Sequence, residues 1–211
     1  MCSSGEGTRC PGDVCLLRTE AERRPNPPLT LDKGQRKMYL ISIYFDKESE
    51  KRIRNYMREI GKATGNTMML DGDVPPHITV AAFEAESEDS AREIFLHGAK
   101  NVKAGEVQWV SVGIFLPGVI YITPVLNKYL QELSETFHEE VSKTQGVRVN
   151  QKYLPYHWLP HSTLAKRLSR EQLVTAFMTM QNQFSPLIGK VTQIGLAKTN
   201  PYTDLEIVEL E

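Results

Sequence analysis

From Met38 onward the chain alternates between two hydrophobic rhythms. MYLISIYF, at 38–45, is a run of aliphatic and aromatic residues that reads as a strand. Asp46 then stands where a helix cap belongs. Ile53, Tyr56, Met57 and Ile60 recur at i, i+3, i+4 and i+7, one apolar face of a helix that should close near Gly61 or Gly65. PPHITVAAF, at 75–83, is a second strand. Ser87 opens a second helix carrying Ala91, Ile94, Phe95 and Ala99, and EVQWVSVGIFL is a third strand stopped by Pro117.

The next stretch runs through the same order again. GVIYIT is a strand, and Thr123 followed by Pro124 reads as a helix start, with Leu126, Leu130, Leu133, Phe137 and Val141 as its buried stripe. A strand is expected around HWLPHSTLAK. Ser169 with Gln172 makes a capping box for the helix SREQLVTAFMTM, and VTQIGLAKT and DLEIVEL read as two final strands. The pattern predicts an α+β chain made of two halves, about 38–117 and 118–211.

One position in PPHITVAAF does not fit simple packing. Successive strand side chains point to opposite faces, so His77 and Thr79 share one face while Ile78 and Val80 take the other. Alone, His-x-Thr reads as a structural histidine with a satisfied hydrogen bond. The second half changes that, because LPHSTLAK at 159–166 carries the same proline, histidine, threonine, aliphatic residue and alanine in the same order. Proline before each histidine suits a strand's start or edge, where no ladder donor is lost. Halves packed about an approximate two-fold axis would bring His77, Thr79, His161 and Thr163 into one cleft.

These motifs, His77-Ile78-Thr79-Val80 and His161-Ser162-Thr163-Leu164, resemble the signature of the 2H phosphoesterase superfamily, which includes the 2'-5' RNA ligase-like cyclic phosphodiesterases. The resemblance covers roughly 38–211. It implies a bilobal, duplicated α+β fold of two antiparallel-rich sheets with flanking helices and an active-site groove between lobes, with no metal and no cofactor. The implied reaction opens a 2',3'-cyclic phosphate at RNA ends or on a related small nucleotide, with 2'-5' RNA ligation as its reverse. The residues suit that chemistry: histidine can act as base or acid near neutral pH, and threonine hydroxyls can donate to charged phosphate oxygens. A 2H enzyme for 2'-5' oligonucleotides or an ADP-ribose cyclic phosphate is one alternative. A non-catalytic nucleotide- or RNA-end-binding module is another.

Charge and composition narrow the partners. The formal net charge is -1, which argues against coating duplex nucleic acid through a whole-surface positive field. Yet between Val141 and Arg170 there is no acidic residue, while Lys143, Arg148, Lys152, Lys166, Arg167 and Arg170 are basic. Tyr153, Tyr156 and Trp158 lie among them, the pairing of cation and aromatic face that a terminal nucleotide uses. Lys166, Tyr156, Trp158, Lys152 and Arg148 are therefore candidate substrate contacts, and Lys166 falls where the resemblance expects a basic residue. Phe83 reads as core.

The first 37 residues lack periodicity, carry PNPP and all three cysteines (Cys2, Cys10, Cys15), and are expected to be a disordered tail. Met38 is a candidate start of the functional chain. No apolar run reaches the ~18 residues of a membrane span, and no secretory leader is legible, so a cytoplasmic monomer with no membrane association is the expectation. His157 and His161 have a zinc-like His-x-x-x-His spacing, but Pro160 between them argues against the helix it needs. His97 and His138 read as surface residues, and Asp71-Gly72-Asp73 as a turn.

Overall fold

The computed structural model describes residues 36–72 and 74–211. Residues 1–35 of the expected tail, its cysteines among them, lie outside the described residues, and Lys37, placed in that tail, begins the first strand. Among the described residues, eight strands and five helices follow in the order β1 (Lys37–Phe45), α1 (Lys47–Thr64), α2 (Met68–Asp71), β2 (His77–Ala85), α3 (Glu88–Ala99), β3 (Gly105–Phe115), β4 (Val119–Pro124), α4 (Lys128–Lys143), β5 (Arg148–Val149), β6 (Ser162–Ala165), α5 (Arg170–Gln183), β7 (Leu187–Lys198) and β8 (Thr203–Glu209).

Local chemistry sets the helix ends. The Asp46 carboxylate accepts from the Glu48 and Ser49 amides, and α1 closes at Gly65 with φ 73°, a conformation that only glycine adopts without cost. Ser87 caps α3, and Ser169 with Gln172 forms the full capping box of α5. The expected helix start at Thr123-Pro124 is not observed. Those residues finish β4, and Asn127 caps α4 by accepting from the Leu130 amide. Proline is tolerated there because Pro124, at the end of β4, needs no ladder donor. Leu126 consequently lies outside α4 and is exposed, while Leu130, Leu133, Phe137 and Val141 are buried as expected. The short α2 has too few residues to show a period.

All pairings are antiparallel, and the strands hydrogen-bond along one path, β5-β2-β1-β7-β3-β4-β6, with β8 on β7. The path still has two wings. The first parts of β3 and β7 pair with each other (Gly105↔Val191 to Trp109↔Leu187). Beyond that joint, β7 continues along β1 and β3 continues along β4. The third strand of each sequence half thus crosses to the other half's first strand, which a division at Pro117 does not anticipate. The helices cross too: α1 packs with α5 and β6, and α4 with α3, β2 and β5. Trp109, Tyr39, Phe83, Phe95, Phe137 and the isoleucines of β1, β2 and β4 fill the core.

Candidate active site

Both motif histidines are held in the same way. His77 Nδ1 lies 2.8 Å from the Pro75 carbonyl and His161 Nδ1 lies 2.8 Å from the Leu159 carbonyl, in each case two residues back. A carbonyl oxygen can only accept, so Nδ1 carries the proton and Nε2 is the basic nitrogen of the neutral ring. Each ring is half-buried. Ile78, Val80 and Leu164 are core residues and Ser162 is fully buried, giving its hydroxyl as acceptor to Trp109 Nε1 at 3.2 Å. The alternation thus separates a packing face from a chemical face in both motifs.

Strand pairing places partners opposite His77 and Thr79. In β1, Tyr44 faces His77 and Ser42 faces Thr79, whose hydroxyls meet at 3.1 Å. The Tyr153 hydroxyl also reaches Thr79. In the other wing, Tyr121 faces Thr163, and its ring lies 5.3 Å from that of His161. Phe115, at the end of β3, sets its edge against His161 at 4.9 Å and stacks on Tyr121 at 4.2 Å. On the His77 side Tyr202 occupies the comparable place, 6.4 Å away and nearly parallel. Glycines make room for both tyrosines: a Cβ on Gly195 of β7 would press on the Tyr44 ring, and one on Gly113 of β3 would enter the Tyr121 ring.

The two wings meet at these residues. The outer strands β2 and β6 approach one another, and the charges of His161, Lys166 and Asp204 all act on His77. Burial holds both histidines below the ordinary imidazole value, because desolvation penalises the charged ring. At His77, His161 and Lys166 push in the same direction, and the Pro75 carbonyl and Asp204 oppose it. At His161 only the Leu159 carbonyl opposes burial.

His77, Thr79, His161, Thr163 and Lys166 therefore fall in one region, with Lys166 exposed just past β6 and its carbonyl bonded to Asn66 Nδ2 at 3.2 Å. Two other candidates are not placed as the sequence suggests. Trp158 is 6 % exposed and packs in the core, so it offers no ring face for stacking. Arg148 pairs with Glu84 at 3.7 Å, seven residues along β2 from His77, roughly 20 Å at ~3.3 Å per residue. Tyr156 is 74 % exposed, and its hydroxyl is engaged by Glu135 of α4. Lys152 is exposed on the 3-10 turn Gln151–Tyr153, the turn that carries Tyr153 to Thr79. Phe83 is fully buried, as expected.

Among the described residues no three His, Cys, Asp or Glu side chains gather as a metal site, and His157 lies in a turn. His97 is exposed and 3.6 Å from Glu140. His138 is half-buried rather than a plain surface residue, with its Nδ1 enclosed. Among the described residues no helix is long and apolar enough to cross a membrane.

Residues 48–202 match the model of the 2'-5' RNA ligase superfamily. The chain belongs to that superfamily. Solved structures agree in fold. Escherichia coli LigT complexed with 3'-AMP superposes with a TM-score of 0.57 at 16% identity, covering 83% of this chain and 99% of that one. A structure described as a phosphoesterase gives 0.58 at 17%, covering 82% and 98%. TT0787 of Thermus thermophilus gives 0.54 at 17%, covering 82% and 97%. No curated protein matches the sequence. The superfamily supports a phosphoesterase-type function, and the α+β antiparallel fold with flanking helices is that of LigT.

Proposed function

We propose that this protein is a metal-independent cyclic phosphodiesterase that opens a 2',3'-cyclic phosphate at an RNA end or on a small nucleotide, with 2'-5' ligation as the reverse reaction. The observation that carries the reading is the pair of histidines tethered through Nδ1, each leaving Nε2 for proton transfer. Ring opening needs one group to take the proton of water and one to give a proton to the leaving ribose oxygen. One neutral and one protonated histidine supply both, each worth about 10²- to 10⁴-fold. Thr79 and Thr163 donate to the non-bridging oxygens as charge develops on them, and Lys166 balances the phosphate. LigT was crystallised with 3'-AMP, a ligand consistent with a nucleotide substrate. The ion pair of Arg148 with Glu84 interrupts the basic track, which favours recognition of an end over a long strand.

The test is incubation, with chelator present, of a short RNA ending in a 2',3'-cyclic phosphate, alongside His77→Ala and His161→Ala. Opening by the parent, lost in both variants, is the expected result. No opening by the parent on this RNA or on a cyclic mononucleotide would overturn the proposal. The isomer left, 2'- or 3'-phosphate, identifies the leaving oxygen.

A further inference from the structure

The tether of His161 is only as firm as the backbone between its two ends. His161 Nδ1 bonds to the Leu159 carbonyl, so the ring keeps its direction while the Leu159 and His161 backbones keep theirs relative to each other. Pro160 lies between them. Its ring locks φ at about −65° and confines Leu159 to extended conformations, which leaves ψ of Pro160 and φ of His161 as the backbone freedom of the tether. Thr123 of β4 takes hold of the peptide between those two torsions: its hydroxyl donates to the Pro160 carbonyl at 2.8 Å. That hydroxyl has one proton, and its other neighbour, the Pro124 carbonyl, is farther away at 3.4 Å. The strand register agrees, since Tyr121↔Thr163 and Ile122↔Ser162, continued by one residue, set Thr123 opposite His161.

The first motif meets the same need differently. There the tether runs from His77 back to Pro75, so prolines occupy both positions, and Pro75 has its φ fixed by its own ring and its ψ restricted by the next. Tyr44 holds the place opposite His77, and its hydroxyl bonds to Tyr202 and Asp204 rather than to the motif backbone. In the second motif Leu159 stands where Pro75 stands in the first, which leaves one torsion more to be held. We propose that Thr123 is a positioning residue for His161, its hydroxyl holding the Pro160–His161 peptide so that the imidazole keeps Nδ1 on the Leu159 carbonyl and Nε2 free for proton transfer. Its part in turnover rests on the reading of the protein as a cyclic phosphodiesterase.

The other groups around this segment leave the task to Thr123. Trp158 is buried on one side of it, and Ser162 is buried on the other, accepting from Trp109 Nε1 at 3.2 Å. Between these anchors Leu159 is 46 % exposed. Phe115 and Tyr121 meet His161 through ring contacts, which wall the imidazole without holding the backbone it bonds to. Among the described residues the side-chain donor to the Pro160 carbonyl is Thr123. Thr123 is half-buried and shares one face of β4 with Tyr121, so the same strand face supplies the wall and the hold.

The experiment compares the parent with Thr123→Val, which keeps the shape and loses the hydroxyl, and Thr123→Ser, which keeps the hydroxyl. Each full-length protein, labelled with ¹⁵N-histidine, is read by NMR for which ring nitrogen of each of its five histidines carries the proton, and kcat and KM are measured on a cyclic phosphate. Thr123→Val should lose about 10- to 100-fold in kcat with less than about a twofold change in KM, because the aim of the ring changes and the phosphate contacts do not. Its His161 signals should move from the Nδ1-protonated form toward exchange of the proton between the two nitrogens, with His77 unmoved. Thr123→Ser should stay within about threefold of the parent in kcat and keep the parent's His161 signals, since the hydrogen bond survives. Parent-like kcat and His161 signals in Thr123→Val, a serine variant as impaired as the valine one, or equal changes at both motif histidines would overturn the proposal. A released His161 in a protein that opens no cyclic phosphate would leave the positioning role standing and refute the proposed reaction instead.

Discussion

Thr79→Val removes one hydroxyl and keeps the volume, which makes it the sharpest probe of the phosphate site. Thr79 is 7 % exposed and Ser42, its partner at 3.1 Å, is 1 % exposed. The proton count decides what Thr79 can do. If the Ser42 hydroxyl donates to Thr79 Oγ1, the Thr79 proton is left to turn to the substrate. Loss of a donor aimed at developing phosphate charge costs about 10²- to 10³-fold in kcat, or roughly 2.7 to 4 kcal/mol. The same substitution strands the Ser42 hydroxyl in the core, costing about 1–3 kcal/mol of stability. Ser42→Ala is the control, since it loses the same buried pair but keeps the Thr79 proton. The assay is kcat and KM on a cyclic phosphate well below the melting temperature, with chemical denaturation of each variant. Thr79→Val should lose at least about 10²-fold in kcat with little change in KM, and Ser42→Ala less than about tenfold. Equal losses in the two variants would show that Thr79 acts through packing alone.

Lys166→Ala should raise KM by about tenfold or more with a smaller effect on kcat, since a charge-assisted contact to phosphate is made before the chemical step. Steady-state kinetics across a salt series checks this, and the salt dependence should flatten in the variant. Arg148→Ala should change kcat/KM less than about twofold, because its partner is Glu84 far along β2. Gly195→Ala should destabilise by about 1–3 kcal/mol, read by denaturation, since the new methyl meets Tyr44. Both histidines lie below 6.5 in the folded chain, so their contribution to stability is full above that pH and is lost as pH falls through their folded values. Acid unfolding should accordingly move to lower pH in the His77→Gln and His161→Gln variants, followed by circular dichroism.

The sequence exposes what repeats at single-residue spacing. His-x-Thr occurs twice after a proline, and alternation alone assigns its two faces, as the burial of Ile78, Val80, Ser162 and Leu164 bears out. Capping is just as local, which is why Asp46, Ser87 and Ser169 were legible as helix starts. The exception, Asn127, is the case where a strand ran on through a proline. Trp158 was misread because its burial depends on what packs over it, and the basic residues around it say nothing of that. Ser42 and Tyr44, and likewise Tyr121 and Thr123, alternate with isoleucines, so a polar face of each first strand is visible in the sequence. Which residue faces which histidine is not, because a shift in pairing between Ile41 and Ser42 sets the register.

What no local pattern reveals is the exchange of third strands, and the chemistry of the site depends on it. Because β3 crosses to β4, the first half of the chain delivers Phe115 to the histidine of the second. Because β7 crosses to β1 and carries β8 with it, the second half delivers Tyr202 and Asp204 to the histidine of the first. The motifs themselves are alike, down to the carbonyl two residues back that holds each Nδ1. Their neighbours from the first strands are alike as well, a tyrosine in each case. Difference enters through the crossing hairpins, one ending in a phenyl ring and the other in a phenol and a carboxylate. The two motif histidines therefore stand in unlike surroundings, one beside a phenyl ring and the other beside a phenol and its hydrogen-bonded carboxylate.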